Sequence, residues 1–247
     1  MSQFFPHEKL DVYSRALSFA KLSAALIDSW PSIMAVCDQL DRATESIVTN
    51  LAKAARLRAT ENGIYCLECS LGSVLECAAC LDVAYCRHLL DSPALRNAKQ
   101  VLQEIARMEV GLRHSWSGCV KEEAEAYSTG AKHYFLHESL VVYQRSLQVH
   151  AALDGLWVLE QKGGRYARRI DQLSTSLTIN IAEGNGRFSK LDHSKFVSTA
   201  EDAGTKLAAY LDLVEAASLM EADAAKCHLR EVMAMLGGLR GSLDTES

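Results

Sequence analysis

Prolines are scarce in this sequence, and several motifs typical of enzymes are missing from it. Only 3 of 247 residues are proline, so long uninterrupted helices are permitted almost everywhere. The phosphate-binding loop GxxxxGK[ST], the dinucleotide-binding turn GxGxxG and the metal-binding helix HExxH do not occur. No nucleophile, base and orienting residue can be assigned either. We therefore expect a non-enzymatic protein with no small-molecule substrate and no cofactor.

The sequence also lacks a secretory signal and a long apolar run. Its start, MSQFFPHE, has no basic region followed by an apolar segment, so we expect a cytoplasmic location. The most apolar segment is interrupted by Glu68, Glu76 and Asp82, well short of the roughly 20 apolar residues that span a bilayer. The 8 cysteines are then expected to be reduced thiols, because the cytosol disfavours disulfides.

The net charge of -5 provides no general attraction to nucleic acid, so such a contact would need a local basic patch. One candidate patch is formed by six basic residues of the second half: Lys162, Arg165, Arg168, Arg169, Arg187 and Lys190. The first four crowd the start of a predicted helix, where cations are unfavourable. Either an anionic partner or an ordinary solvated surface would account for them.

Residues separated by 130 positions match along the start of each half of the chain. Eight residues of the first half, Phe5, His7, Glu8, Leu10, Val12, Tyr13, Arg15 and Leu17, recur as Phe135, His137, Glu138, Leu140, Val142, Tyr143, Arg145 and Leu147. Farther on, the register shifts by two residues and places Gly72 opposite Gly204. The pattern indicates a duplication with units at residues 1–128 and 129–247.

Each half has the apolar periodicity of helices. Leu10, Tyr13 and Leu17 follow steps of three and four, the seam of a bundle helix, and Pro93 suits the first position of a later helix. No strand pattern competes. The prediction is an all-α protein of two tandem antiparallel up-down four-helix bundles.

Residues 180–190 read NIAEGNGRFSK, and Phe196 and a further helix follow. This segment resembles the signature of the four-helix-bundle family encoded in 23S ribosomal RNA intervening sequences, which includes the accessory variability proteins of diversity-generating retroelements. HEKLDVY at 7–13 and its copy at 137–143 are similar to the family's first helix. The signature turn corresponds to Asn180, Ala182, Glu183, Gly184 and Arg187. The first half reads NLAKA at 50–54, without the acidic residue and the glycine.

The resemblance implies ring-like oligomers of bundles and, for the retroelement branch, binding of RNA and a reverse transcriptase through basic surfaces. Applied to this chain, it implies a scaffold that self-associates or binds a protein partner, with RNA or a reverse transcriptase as a further partner. The alternative is a scaffold for proteins alone, with no nucleic acid bound.

Gly184 also carries a structural prediction. Glycine tolerates the left-handed backbone that follows many helix ends, whereas Ala54 at the matching position does not. We therefore expect the helix before Gly184 to end there, and its counterpart in the first half to run on past Ala54.

Two CxxC pairs, Cys66 with Cys69 and Cys77 with Cys80, have the spacing of zinc ligands. On a helix the pairs would share one face but lie roughly 16 Å apart along the axis, too far for one tetrahedral ion. A shared site would need two chains, each supplying one pair. Cysteine also packs as a small apolar residue, which favours a buried helix over a metal site.

Two further features are open to more than one interpretation. His150 and Asp154, four residues apart on one helix face, would form either a polar or metal site or a hydrogen-bonded pair at the bundle margin. Residues 65–90 are apolar around much of their helix. We expect that helix to be buried on more than one side, against its own bundle and against the second bundle or another chain.

Overall fold

The computed structural model describes residues 4–117, 133–153, 156, 164, 166–186 and 189–245, and within these ranges the chain is helical, without strands. The first half contains a 3₁₀ helix, Pro6–Lys9, and then α1 (Asp11–Ser29), α2 (Ala35–Leu57), α3 (Glu61–Cys86) and α4 (Ser92–Ser117). The second contains a 3₁₀ helix, Leu136–Ser139, and then α5 (Val141–Ala151), α6 (Ala167–Asn185), α7 (Lys190–Ala216) and α8 (Asp223–Thr245). The predicted all-α fold is confirmed.

The helices of each half contact one another in a closed ring. In the first half, α1 packs against α2 and α4, and α3 packs against the same two helices. In the second half, α5 packs against α6 and α8, and α7 packs against those two. Each half therefore has the helix neighbours of a four-helix bundle. The predicted boundary at residues 128 and 129 lies outside the described residues.

The 130-residue spacing of the sequence recurs in the backbone. The two 3₁₀ helices begin at Pro6 and Leu136, and α3 and α7 end 130 residues apart. Just past those two ends, His88 and Ser218 both have positive φ, 57° and 53°. The two-residue shift expected from the glycines of these helices is thus absent at their ends.

α3 lies at the centre of the molecule. Sixteen of its 26 residues are buried, and it packs against α2 and α4 of its own half and against α5 and α6 of the other. By length and composition alone α3 is apolar enough to span a membrane, but its burial is that of a core helix. The prediction that residues 65–90 are buried on more than one side is confirmed.

Gly184 does not have the predicted role. It lies inside α6, which continues to Asn185, and a Cβ added there would lie 3.0 Å from Phe196 Cβ on α7. The missing side chain therefore serves the close approach of two helices. The left-handed side of the backbone map is used instead in the first half, by Arg58 after α2, with φ 45°. At the 130-residue spacing α2 and α6 end only two residues apart, within the usual scatter of helix ends.

Candidate functional site

A cluster of largely buried charged residues joins the two halves. Lys99 Nζ on α4 lies 2.5 Å from Asp82 Oδ1 on α3 and 2.8 Å from Glu138 Oε1 of the second half. The Tyr143 hydroxyl on α5 donates to Asp82 Oδ2 at 2.8 Å. Burial opposes the charge on Lys99, but Asp82 and Glu138 outweigh it and raise the pKa of the ammonium. The ion pairs therefore hold the two halves together as charged groups.

A second polar cluster crosses the same boundary. Arg87 Nη2, past the end of α3, lies 3.3 Å from Asp171 Oδ1 on α6, and Asp171 Oδ2 accepts from the backbone N–H of Ala35 at 2.7 Å. Arg87 Nε donates to His150 Nδ1 at 3.4 Å. Because Nδ1 accepts, the ring proton sits on Nε2, 3.1 Å from the carbonyl oxygen of Ser174.

The environment of His150 favours the plain interpretation of this residue. Burial, with the positive charge of Arg87, lowers the pKa of His150 well below its usual value. The imidazole is therefore neutral and bonded within the core. Its predicted partner Asp154 lies outside the described residues, so their pairing stays a prediction.

Asp82, His137 and Glu138 offer ligand atoms within 4.8 Å of one another, a grouping that could hold a metal ion. The Lys99 ammonium, however, already lies against both carboxylates. His137 is buried, packs edge-on against Tyr143 with ring centroids 4.7 Å apart, and has no hydrogen-bond partner for either nitrogen among the described residues. Burial, and then Lys99, lower the pKa of His137 well below its usual value. We therefore interpret this cluster as a joint between the halves.

The first half carries a matching motif with the same internal geometry. The Phe5 and His7 rings stack with centroids 5.5 Å apart, as those of Phe135 and His137 do at 5.8 Å. His7 then contacts Tyr13 at 4.6 Å. Burial separates the two copies: Phe5 is 67% exposed, whereas Phe135 is 0% exposed. Only the second copy is covered by another part of the chain.

The four candidate zinc ligands all lie on α3. Cys77 and Cys80 are buried, and Cys66 and Cys69 are half-buried. Burial, reinforced by the negative charge of Glu76, raises the pKa of the Cys77 and Cys80 thiols well above their usual value, so the thiolate form that binds zinc is disfavoured. The small thiols fit the close packing of this helix, and the two-chain zinc site remains untested.

The candidate basic residues do not lie together. Arg168 and Arg169 are exposed in the first turn of α6, and Lys190 is exposed at the first residue of α7. α6 has 19 residues and is therefore about 28 Å long, so Arg168 and Arg169 lie at the opposite end of α6 from Lys190. Lys162, Arg165 and Arg187 lie outside the described residues. The expectation of one continuous patch is wrong for those that are described.

The described residues of the signature turn act within the helix bundle. Asn180 Nδ2 donates to the Ser176 carbonyl oxygen at 2.7 Å, and its Oγ lies 3.2 Å away. In the first half Asn50 Nδ2 donates to Ser46 Oγ at 3.1 Å, the same contact 130 residues earlier. Ala182 is fully buried, and Gly184 allows α7 to approach. These contacts support a packing role for the signature.

A cavity of about 370 Å³ also lies between the halves. Its walls are mostly apolar, with Met34 from the first half and Leu153 and Leu156 from the second. Arg87 and Asp171 line it as well, but they are paired with each other. The cavity thus lies beside the joint and shares its charged residues.

The fold and this joint define an all-helical protein of the four-helix-bundle type, in which two halves are linked by buried ion pairs. Residues 8–111 match the model of a family described as 23S rRNA-intervening sequence protein. The match supports that family for the first half of the chain, the half whose turn departs from the signature. No curated protein and no solved structure matches the chain.

Proposed function

We propose that this chain is a non-enzymatic helical adaptor of the 23S rRNA intervening sequence type, acting in the cytoplasm through its outer surfaces. One observation carries the proposal: the most strongly buried charges of the described residues, Lys99 with Asp82 and Glu138, join the halves. Surfaces held in a fixed arrangement bind partners with less loss of conformational freedom. A two-part unit locked by buried ion pairs suits that task.

We further propose that the start of α6 contacts an anionic partner, either RNA or a protein that carries RNA, such as a reverse transcriptase. Arg168 and Arg169 are exposed there, and their charges oppose the positive end of the helix dipole. Lys162 and Arg165 precede them in the sequence. A phosphate backbone would compensate for such a concentration of positive charge.

Salt dependence tests this contact. Replacing Lys162, Arg165, Arg168 and Arg169 by glutamine should weaken RNA binding and flatten the dependence of affinity on salt, because each lost phosphate contact releases fewer counterions. Fluorescence anisotropy with a structured RNA at several salt concentrations measures both. Lys206→Gln, which removes an exposed cation elsewhere, is the matched control. An unchanged salt slope in the fourfold variant would contradict the contact.

The alternative function is a scaffold for proteins alone. The net charge of -5 and the exposed rings of Phe4 and Phe5, 62% and 67% exposed, favour it. Under this alternative the wild-type chain binds no RNA at any salt concentration but still binds a protein or a second copy of itself. The same titration therefore separates the two functions.

A further inference from the structure

The second-half motif docks on a specific pair of residues in the first half. Tyr143 donates to Asp82, and Glu138 pairs with Lys99, which itself binds Asp82. The motif therefore fits an aspartate at the end of one helix and a lysine from the next helix. This aspartate and lysine are called the acceptor pair below.

The second half contains an acceptor pair of the same kind. Asp212, 130 residues after Asp82, lies near the end of α7, and Lys226 Nζ on α8 is 2.5 Å from Asp212 Oδ1. Lys99 Nζ lies at the same distance from Asp82. The side chain of Asp212 is 69% exposed, and nearby Leu213 and Leu219 are 43% and 42% exposed. No described part of the chain covers this pair.

The first-half motif is the matching ligand. The Tyr13 hydroxyl has no hydrogen-bond partner among the described residues, and Phe5 beside it is exposed. Glu8 Oε2 accepts from the Phe5 N–H at 2.7 Å, as Glu138 Oε2 accepts from the Tyr134 N–H at 2.9 Å. The second oxygen of Glu138 is the one that binds Lys99. The equivalent oxygen of Glu8 has no partner in the described ranges.

We infer that the first-half motif of one chain docks on the acceptor pair of a second copy. The Tyr13 hydroxyl donates to Asp212, Glu8 pairs with Lys226, and the rings of Phe4 and Phe5 cover Leu213 and Leu219. The motif and the acceptor pair are different surfaces, so the contact is head-to-tail and each chain uses both. This inference rests on the adaptor function proposed above and identifies one partner of that adaptor.

The contact between chains should be weaker than the joint within the chain. Arg87, which binds Asp171 across the joint, has Ala217 in its place 130 residues later. Lys226 also pairs with Glu215 on its own chain, so part of its charge is already neutralised. Assembly should therefore depend on concentration and weaken as salt rises.

Light scattering after size-exclusion chromatography, run across a range of protein concentrations, tests the inference. Tyr13→Phe removes one donor, and Glu8→Gln removes one charge while keeping an acceptor for Phe5. Each should weaken self-association about tenfold, whereas Glu45→Gln, an exposed carboxylate on α2, should not change it. Circular dichroism checks that each variant stays helical.

A charge exchange gives the sharper result. Glu8→Lys and Lys226→Glu should each fail to assemble alone, and mixing the two variants should restore assembly, because each supplies the charge that the other needs. Assembly of Glu8→Lys or Tyr13→Phe at the wild-type level would overturn the inference and leave the adaptor function standing. A wild-type chain that stays single at all concentrations would also overturn it, while salt-dependent RNA binding tests the adaptor function separately.

Discussion

Glu109 on α4 is a carboxyl group buried without a cation beside it. Its Oε1 accepts a hydrogen bond from the Ser70 hydroxyl, and its Oε2 has no partner among the described residues. Burial raises the pKa of Glu109 to about 8, although the Ser70 hydrogen bond acts in the opposite direction. Glu109 is therefore mostly protonated at neutral pH and contributes to the core as an uncharged group.

This shift predicts a dependence of stability on pH. The folded state holds the Glu109 proton up to about pH 8, while the unfolded state releases it near its usual pKa of 4.5. Folding stability should therefore fall as pH rises through this window, by up to about 1.4 kcal/mol per pH unit. Glu109→Gln keeps the shape without the proton and should remove this contribution.

Urea denaturation at pH 5, 6.5 and 8 measures the effect. The free energy of unfolding should fall more steeply between pH 5 and 8 in the wild type than in Glu109→Gln. Glu45→Gln, at an exposed position on α2, should keep the wild-type slope. Equal slopes in the wild type and Glu109→Gln would show that the carboxyl does not hold its proton.

At the scale of elements, the packing of α6 on α7 depends on Gly184. A Cβ there would lie 3.0 Å from Phe196 Cβ and 3.3 Å from His193 Cδ2. A Cβ cannot move without its backbone, so the two helices would have to separate slightly. Gly111 on α4 has open space around it and is a matched control for the intrinsic helix preference of alanine.

Alanine substitutions at these two glycines should therefore have opposite effects. Gly111→Ala should stabilise the protein by about 0.5–1 kcal/mol, since alanine is the better helix former. Gly184→Ala should destabilise it by about 1–2 kcal/mol, because overpacking exceeds that gain. Chemical denaturation of both variants gives the comparison. A stabilised Gly184→Ala protein would mean that the helices do not meet closely there.

At the scale of the whole molecule, the buried ion pairs decide how the halves are joined. Lys99→Met should leave Asp82 and Glu138 buried without a cation and cost about 3–5 kcal/mol of unfolding free energy. Lys206→Met breaks an exposed pair with Asp202 and should cost less than about 1 kcal/mol. A lower urea midpoint for Lys99→Met alone is the expected result. Similar midpoints for both variants would show that the joint contributes little.

The repeat was visible in the sequence because it consists of identical residues at a constant spacing. The helices were predictable for a related reason: apolar residues recur at steps of three and four wherever one face of a helix is buried. The close approach at Gly184 was not predictable, since glycine suits both a helix end and a tight contact. Distinguishing these roles requires knowing which residue of α7 lies opposite.

The sequence by itself determined an all-helical chain with two copies of one motif, because helix periodicity and repetition are local properties of the chain. Only the tertiary structure decided which copy is buried. Tyr13 and Tyr143 belong to the same pattern, yet only Tyr143 meets an aspartate, because α3 and α4 of the first half cover the second copy. That choice depends on contacts between residues far apart in sequence, whose burial and charge pairing are set by how the two halves meet.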